Sequence, residues 1–124
     1  MLSLKNVRFE ILRDPIVRDF SMDLKPGEVK TLFGPSGCGK TTVLRLISGL
    51  ETPKSGEIKN IFSKTGFLFQ ENRLLENLTA MQNIAIFMGN PNENEIIALA
   101  EKIGLSSGDL NKYPTELSGG MAKR

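Results

Sequence analysis

The sequence predicts an α/β fold, and three observations carry that expectation. A glycine-rich run, Gly34-Pro35-Ser36-Gly37-Cys38-Gly39-Lys40-Thr41-Thr42, joins a short apolar segment to an amphipathic helix. Extended segments fill the front of the chain, and capped helices fill its end. Leu2, Leu4 and the stretch through Ile11 read as one strand, and residues 16–24 as a second. The turn Lys25-Pro26-Gly27-Glu28 leads to a short strand carrying Val29, Thr31, Leu32 and Phe33. After the glycine run, Val43, Leu46, Ile47 and Leu50 recur at i, i+3, i+4 and i+7, one apolar helix face ending near Gly49. The turn Thr52-Pro53-Lys54-Ser55-Gly56 precedes a strand over 57–61, and another strand is expected over 66–69. Thr79 and Gln82 then make a capping box before the stripe Met81, Ile84, Ala85 and Met88, with Gly89 at its end. Asn92 caps a further helix whose face is Ile96, Leu99, Ala100 and Ile103, stopped by Gly104.

Composition narrows the class. With 40% hydrophobic and 24% charged residues in 124, the chain reads as at most one soluble globular domain. A net charge of +2, from sixteen basic and fourteen acidic residues, gives no ground for nucleic-acid binding. No apolar run reaches membrane-spanning length, and the N-terminus lacks a signal-peptide pattern, so a cytoplasmic location is expected. The chain has no histidine, which excludes histidine-based catalysis and histidine metal sites within it. Cys38 is the single cysteine and reads as a loop filler.

The glycine run fits the spacing G-x-x-x-x-G-K-[ST] in full, with Gly34, Gly39, Lys40 and Thr41 at the fixed positions and Gly37 as a further flexible one. Such a loop wraps a polyphosphate in consecutive backbone N–H groups, and side chains at these points would block the approach. Lys40 would reach the β- and γ-phosphates, Thr41 would offer its hydroxyl to Mg²⁺, and the following helix would aim its positive end at the anion.

A second glycine pair follows late in the chain, in Leu117-Ser118-Gly119-Gly120-Met121. Ser118 stands where an N-cap belongs, and Gly119 and Gly120 leave backbone N–H groups bare at a helix start. The phosphate loop, then Gln70 ending the apolar stretch Gly66-Phe67-Leu68-Phe69, then Leu-Ser-Gly-Gly, in that order, resembles the nucleotide-binding subunit of ATP-binding cassette (ABC) transporters. The resemblance runs from Leu4-Lys5-Asn6-Val7 to Arg124. It implies an α/β P-loop NTPase core of the ABC ATPase type with an N-terminal antiparallel β segment and the start of a helical subdomain. The chain then reads as an incomplete domain, with residues 1–78 as the β segment and P-loop core and 79–124 as the helical subdomain up to the signature motif.

The resemblance further implies ATP and Mg²⁺ as cofactors, held by residues Gly34 through Thr42. Gln70 is implied to reach toward Mg²⁺ and the attacking water. Ser118, Gly119 and Gly120 are implied to close over the γ-phosphate held by a second nucleotide-binding domain, paired head to tail. The segment from Glu71 to Thr79 looks like the part that touches a transmembrane permease, and Arg73-Leu74-Leu75 before Leu78-Thr79 is similar to importers of the nitrate, sulfonate and taurine type. Glu76-Asn77 departs from the Pro-Trp pair often found there. Such a subunit sits peripherally on the inner face of the membrane, and any substrate-binding protein would be a further partner. Ile11 occupies the place of the aromatic residue that stacks on adenine, with Phe9 as an alternative. Met121 stands where glutamine is commonest.

The family also carries, beyond its signature, a metal-holding aspartate, a water-polarising glutamate and a histidine. None is found in this chain, so binding with little or no ATP turnover is expected. The strands implied to lie between the phosphate-loop strand and the Gln70 strand are missing too, which would leave apolar edges unpaired. Three other readings stay open: a nucleotide-binding fragment without turnover, a small-molecule kinase on the same loop, and a non-transport member of the superfamily. The kinase reading leaves 117–120 unexplained, and the repair members would need long heptads that are not present.

Overall fold

The computed structural model describes residues 1–89 and 91–124. It divides into two compact units, Met1–Phe67 and Leu68–Arg124, so the division falls ahead of the 78/79 boundary expected from the sequence.

The first unit is built on a three-stranded antiparallel sheet in which β1 (Leu2–Ile11) lies between β2 (Asp14–Leu24) and β3 (Ser55–Asn60). Period-two patterning sends Leu2 and Leu4 inward, opposite Leu24 and Met22 of β2. The inward set then changes phase, from even positions to Val7 and Phe9, across irregular pairing between Leu4 and Val7. Asn6 at the irregularity takes φ 48°, and its N–H donates to Ser21 Oγ at 2.9 Å. One extra residue there keeps both halves of β1 on the core. The core is Leu2, Leu4, Val7, Val17, Val43 and Leu46, the last two from α1 (Lys40–Ile47). Of the helix face read from the sequence, Leu50 falls beyond the end of α1 and is exposed.

Two expected strands are not part of this sheet. Residues 29–33 enter the glycine run without joining a ladder, with Val29 90% and Phe33 100% exposed. Residues 66–69 are likewise not a strand. A parallel strand takes its shape from ladders on its edges and cover on both faces, and apolar composition by itself supplies neither.

The second unit holds α2 (Ala80–Met88), α3 (Glu93–Lys102) and the short α4 (Gly119–Lys123), with single 3₁₀ turns at Asp109–Asn111 and Pro114–Glu116. The expected capping box is formed: Thr79 Oγ1 accepts from the Gln82 N–H, and Gln82 Oε1 accepts from the Thr79 N–H at 2.9 Å. Asn92 Oδ1 caps α3 by accepting from the Glu95 N–H at 2.9 Å. Glu93 and Glu95 sit in the first turn of α3 and Lys102 in its last, the signs its dipole favours. Ala80, Ile96, Ala100, Leu105 and Leu110 form the core of this unit. On α3 the buried residues are Ile96 and Ala100, while Leu99 and Ile103 of the expected stripe stay more than a third exposed.

Candidate functional site

The glycine run lies in the first unit, at the head of α1. Gly39 is the N-cap of that helix, with φ 92° and no side-chain cap. A Cβ there would stand 2.9 Å from the Ile16 carbonyl oxygen of β2, so both the backbone conformation and the close approach of the strand require glycine. Gly37 also has positive φ, at 82°, and a Cβ on Gly34 would meet Cys38 Sγ at 2.8 Å. Cys38 itself is exposed, with a free thiol.

Lys40 turns its side chain back into the loop. Its Nζ donates to the carbonyl oxygens of Gly34 and Pro35, each at 2.7 Å, and lies 3.5 Å from Cys38 Sγ. The ammonium is therefore held inside the ring of the loop rather than extended into solvent. Thr41 and Thr42 follow in the first turn of α1, where backbone N–H groups have no acceptor within the helix. Thr41 is exposed and Thr42 half-buried, while Pro35 and Ser36 are exposed at the loop's rim. A cleft of about 230 Å³ adjoins the loop, lined by Cys38, Gly39 and Lys40 together with Ile16, Val17 and Arg18 of β2. A cation and the N–H groups of a helix N-terminus thus converge on one loop.

A larger cleft of about 500 Å³ lies along the β1–β2 pair. Four of the charged side chains lining it are paired: Arg8 makes two bonds to the Asp19 carboxylate, at 2.7 and 2.8 Å, and Lys54 pairs with Glu10. The Arg8 hydrogen bond holds the Asp19 carboxyl below its ordinary value, and Asp19 raises Arg8 in return.

Ile11 is placed apart from the loop's cleft. It ends β1 beside the two-residue turn at Leu12 and Arg13, half exposed, and lines neither cleft. Phe9, the alternative, packs against the core. The two differ in environment because the pairing of β1 is irregular between Phe9 and Glu10.

In the second unit, Gln70 is exposed, beside a stack in which the Arg73 guanidinium lies 4.5 Å from the Phe69 ring centroid. Ser118 is the N-cap of α4, and its Oγ accepts from the Met121 N–H at 3.2 Å. Gly119 and Gly120 are exposed, and a Cβ on either would meet nothing within 4 Å. Their lack of side chains is not demanded by packing within this chain. Between these points sits a residue that sequence reasoning passed over, Asn83. It is 4% exposed and spends its amide on the segment leading into α2. A polar residue on the buried face of a helix was the available signal.

Comparison with known proteins adds the following. The family model described as ABC transporter matches residues 17–124. The aliphatic sulfonates import ATP-binding protein SsuB 2 of Pseudomonas syringae pv. tomato is 43% identical over 110 residues, covering 88% of this chain and 47% of that protein. The sulfate/thiosulfate import ATP-binding protein CysA 2 of Rhizobium meliloti is 37% identical over 141 residues, covering 98% of this chain and 38% of that protein. Among solved structures, a dimeric ATP-binding cassette in a post-hydrolysis state, bound to ADP and Pi, superposes with a TM-score of 0.79 at 27% identity, covering 99% of this chain and 68% of that one. The chain spans about half the length of the first of these relatives.

Proposed function

The chain belongs to the ABC transporter family, and on that premise we propose that it acts as the ATP-binding, energy-coupling subunit of a membrane importer. The observation that carries this reading is the loop at the head of α1, where Lys40 Nζ is held by the Gly34 and Pro35 carbonyls. A nucleotide triphosphate would draw the ammonium from these neutral acceptors to its β- and γ-oxygens, because charge-assisted bonds are the stronger. The backbone N–H groups of 34–42 would cradle the same phosphates.

Thr41 supplies a hard hydroxyl oxygen suited to Mg²⁺, which is commonly bound by few protein ligands together with substrate phosphates. When bound, the ion neutralises charge that develops on the phosphoryl oxygens. Gln70, with an amide that both donates and accepts, is a candidate for metal and water contacts in the same reading. Ile11, with half its surface free, is the candidate for the nucleoside. Phe9 is committed to the core.

In the same reading, Ser118, Gly119 and Gly120 close over the nucleotide of a second nucleotide-binding domain, and 70–79 docks on the permease. No helix among the described residues is long and apolar enough to cross a membrane. In this reading the subunit sits on that permease at the inner face of the cell membrane. Relatives named for sulfonate and sulfate import favour a small sulfur oxyanion as the transported solute.

Sedimentation velocity with Mg-ATP, Mg-ADP and no nucleotide tests the reading. It requires association with ATP that ADP does not support. A sedimentation coefficient unchanged by ATP would count against the shared-nucleotide dimer.

A further inference from the structure

We propose that Arg18 is a second cationic contact for the triphosphate held at Lys40, an inference that rests on the nucleotide reading above. Arg18 lines the same 230 Å³ cleft as Gly39 and Lys40. The contact between its strand and the loop is direct, since Gly39 approaches the Ile16 carbonyl so closely that no Cβ would fit. A residue two positions along β2 from that contact is held at the loop's flank by the same packing.

The charge arrangement singles Arg18 out. Arg8 is committed to Asp19, and Lys54 to Glu10. Arg18 is exposed and makes no ion pair or hydrogen bond among the described residues. Lys40 is one positive charge, and a triphosphate carries several negative ones, so the loop by itself leaves the anion under-neutralised. A guanidinium offers a planar fork that matches phosphate oxygens in pairs, which an ammonium does not. Arg18 also lines the larger cleft along β1 and β2. Arg18 therefore borders both clefts, together with Val17.

The test is calorimetric titration of Mg-ATP, and separately of inorganic tripolyphosphate, into the chain and its Arg18→Ala, Arg18→Lys and Lys40→Ala variants. Loss of one charge-assisted contact weakens binding about tenfold. The expected result is such a loss for both ligands in Arg18→Ala, with partial recovery in Arg18→Lys. Because the Arg18 guanidinium has no ion pair or hydrogen bond among the described residues, thermal unfolding of Arg18→Ala should match the parent, which separates a lost contact from a lost structure. Equal affinity of Arg18→Ala and the parent, or a loss for ATP with tripolyphosphate unaffected, overturns the inference while leaving the Lys40 site standing. Absence of binding by the parent itself overturns the nucleotide reading, and this inference with it.

Discussion

The side-chain amide of Asn83 bonds both main-chain polar groups of Leu75: Oδ1 accepts from the Leu75 N–H at 2.8 Å, and Nδ2 donates to the Leu75 carbonyl at 3.1 Å. The same Nδ2 also donates to the carbonyls of Leu78 and Thr79. One buried amide thus fixes the path of the chain from Leu75 into α2. Asn83→Ala would strand an N–H and several carbonyls, for a loss of roughly 2–4 kcal/mol. Urea unfolding should show the free energy of unfolding fall by that amount, as a lower midpoint at unchanged slope, and hydrogen exchange at the Leu75 amide should accelerate. An unchanged midpoint would mean that water replaces the amide without cost.

The turn joining β1 and β2 carries its strain in the wrong residue types. Leu12 and Arg13 take φ 50° and 70°, the left-handed pair typical of a two-residue hairpin turn, where Asn-Gly is the favoured sequence. Leu12 is also 98% exposed, so nothing is gained by its side chain. Leu12→Asn combined with Arg13→Gly should raise stability by about 1–2 kcal/mol. Differential scanning calorimetry would show a higher Tm, and a lower one would rule out strain at this turn.

Asp109 gives the second unit an acid-sensitive point. Hydrogen bonds from Lys112 Nζ at 2.6 Å, and from the hydroxyl and N–H of Ser106, lower its carboxyl from 3.8 to about 2. The folded value lies below the unfolded one, so the contribution is fully present above the unfolded value and is lost as pH falls through the folded one. Stability of the parent should therefore decline between about pH 4 and pH 2 more steeply than that of Asp109→Asn. Urea midpoints across that range would check it, and parallel curves for the two proteins would refute it.

Local signals were legible in the sequence where a few neighbouring residues decide the outcome. The Thr79-Gln82 box, the Asn92 cap, the stop at Gly104 and the turn at 25–28 all depend on contacts within three or four positions. The glycine positions at 37 and 39 were legible for a similar reason, since positive backbone angles there favour glycine. Residues 29–33 and 66–69 were misread because a strand requires neighbours that local composition does not name. The phase change at Asn6 was hidden too, as it depends on Ser21 in another strand. Asn83 escaped notice because its partners lie in a loop with no pattern of its own, and Arg18 because only the fold brings β2 beside Lys40.

The most direct measurement is calorimetric titration of Mg-ATP into the parent chain and Lys40→Ala. Removing the ammonium that bonds Gly34 and Pro35 leaves the loop without its central cation, and a loss of about 2–3 kcal/mol, or roughly 30- to 150-fold in Kd, is expected. Saturable binding by the parent that is weakened to this degree in Lys40→Ala agrees with a phosphate site at this loop. Binding of equal strength in both proteins would contradict it.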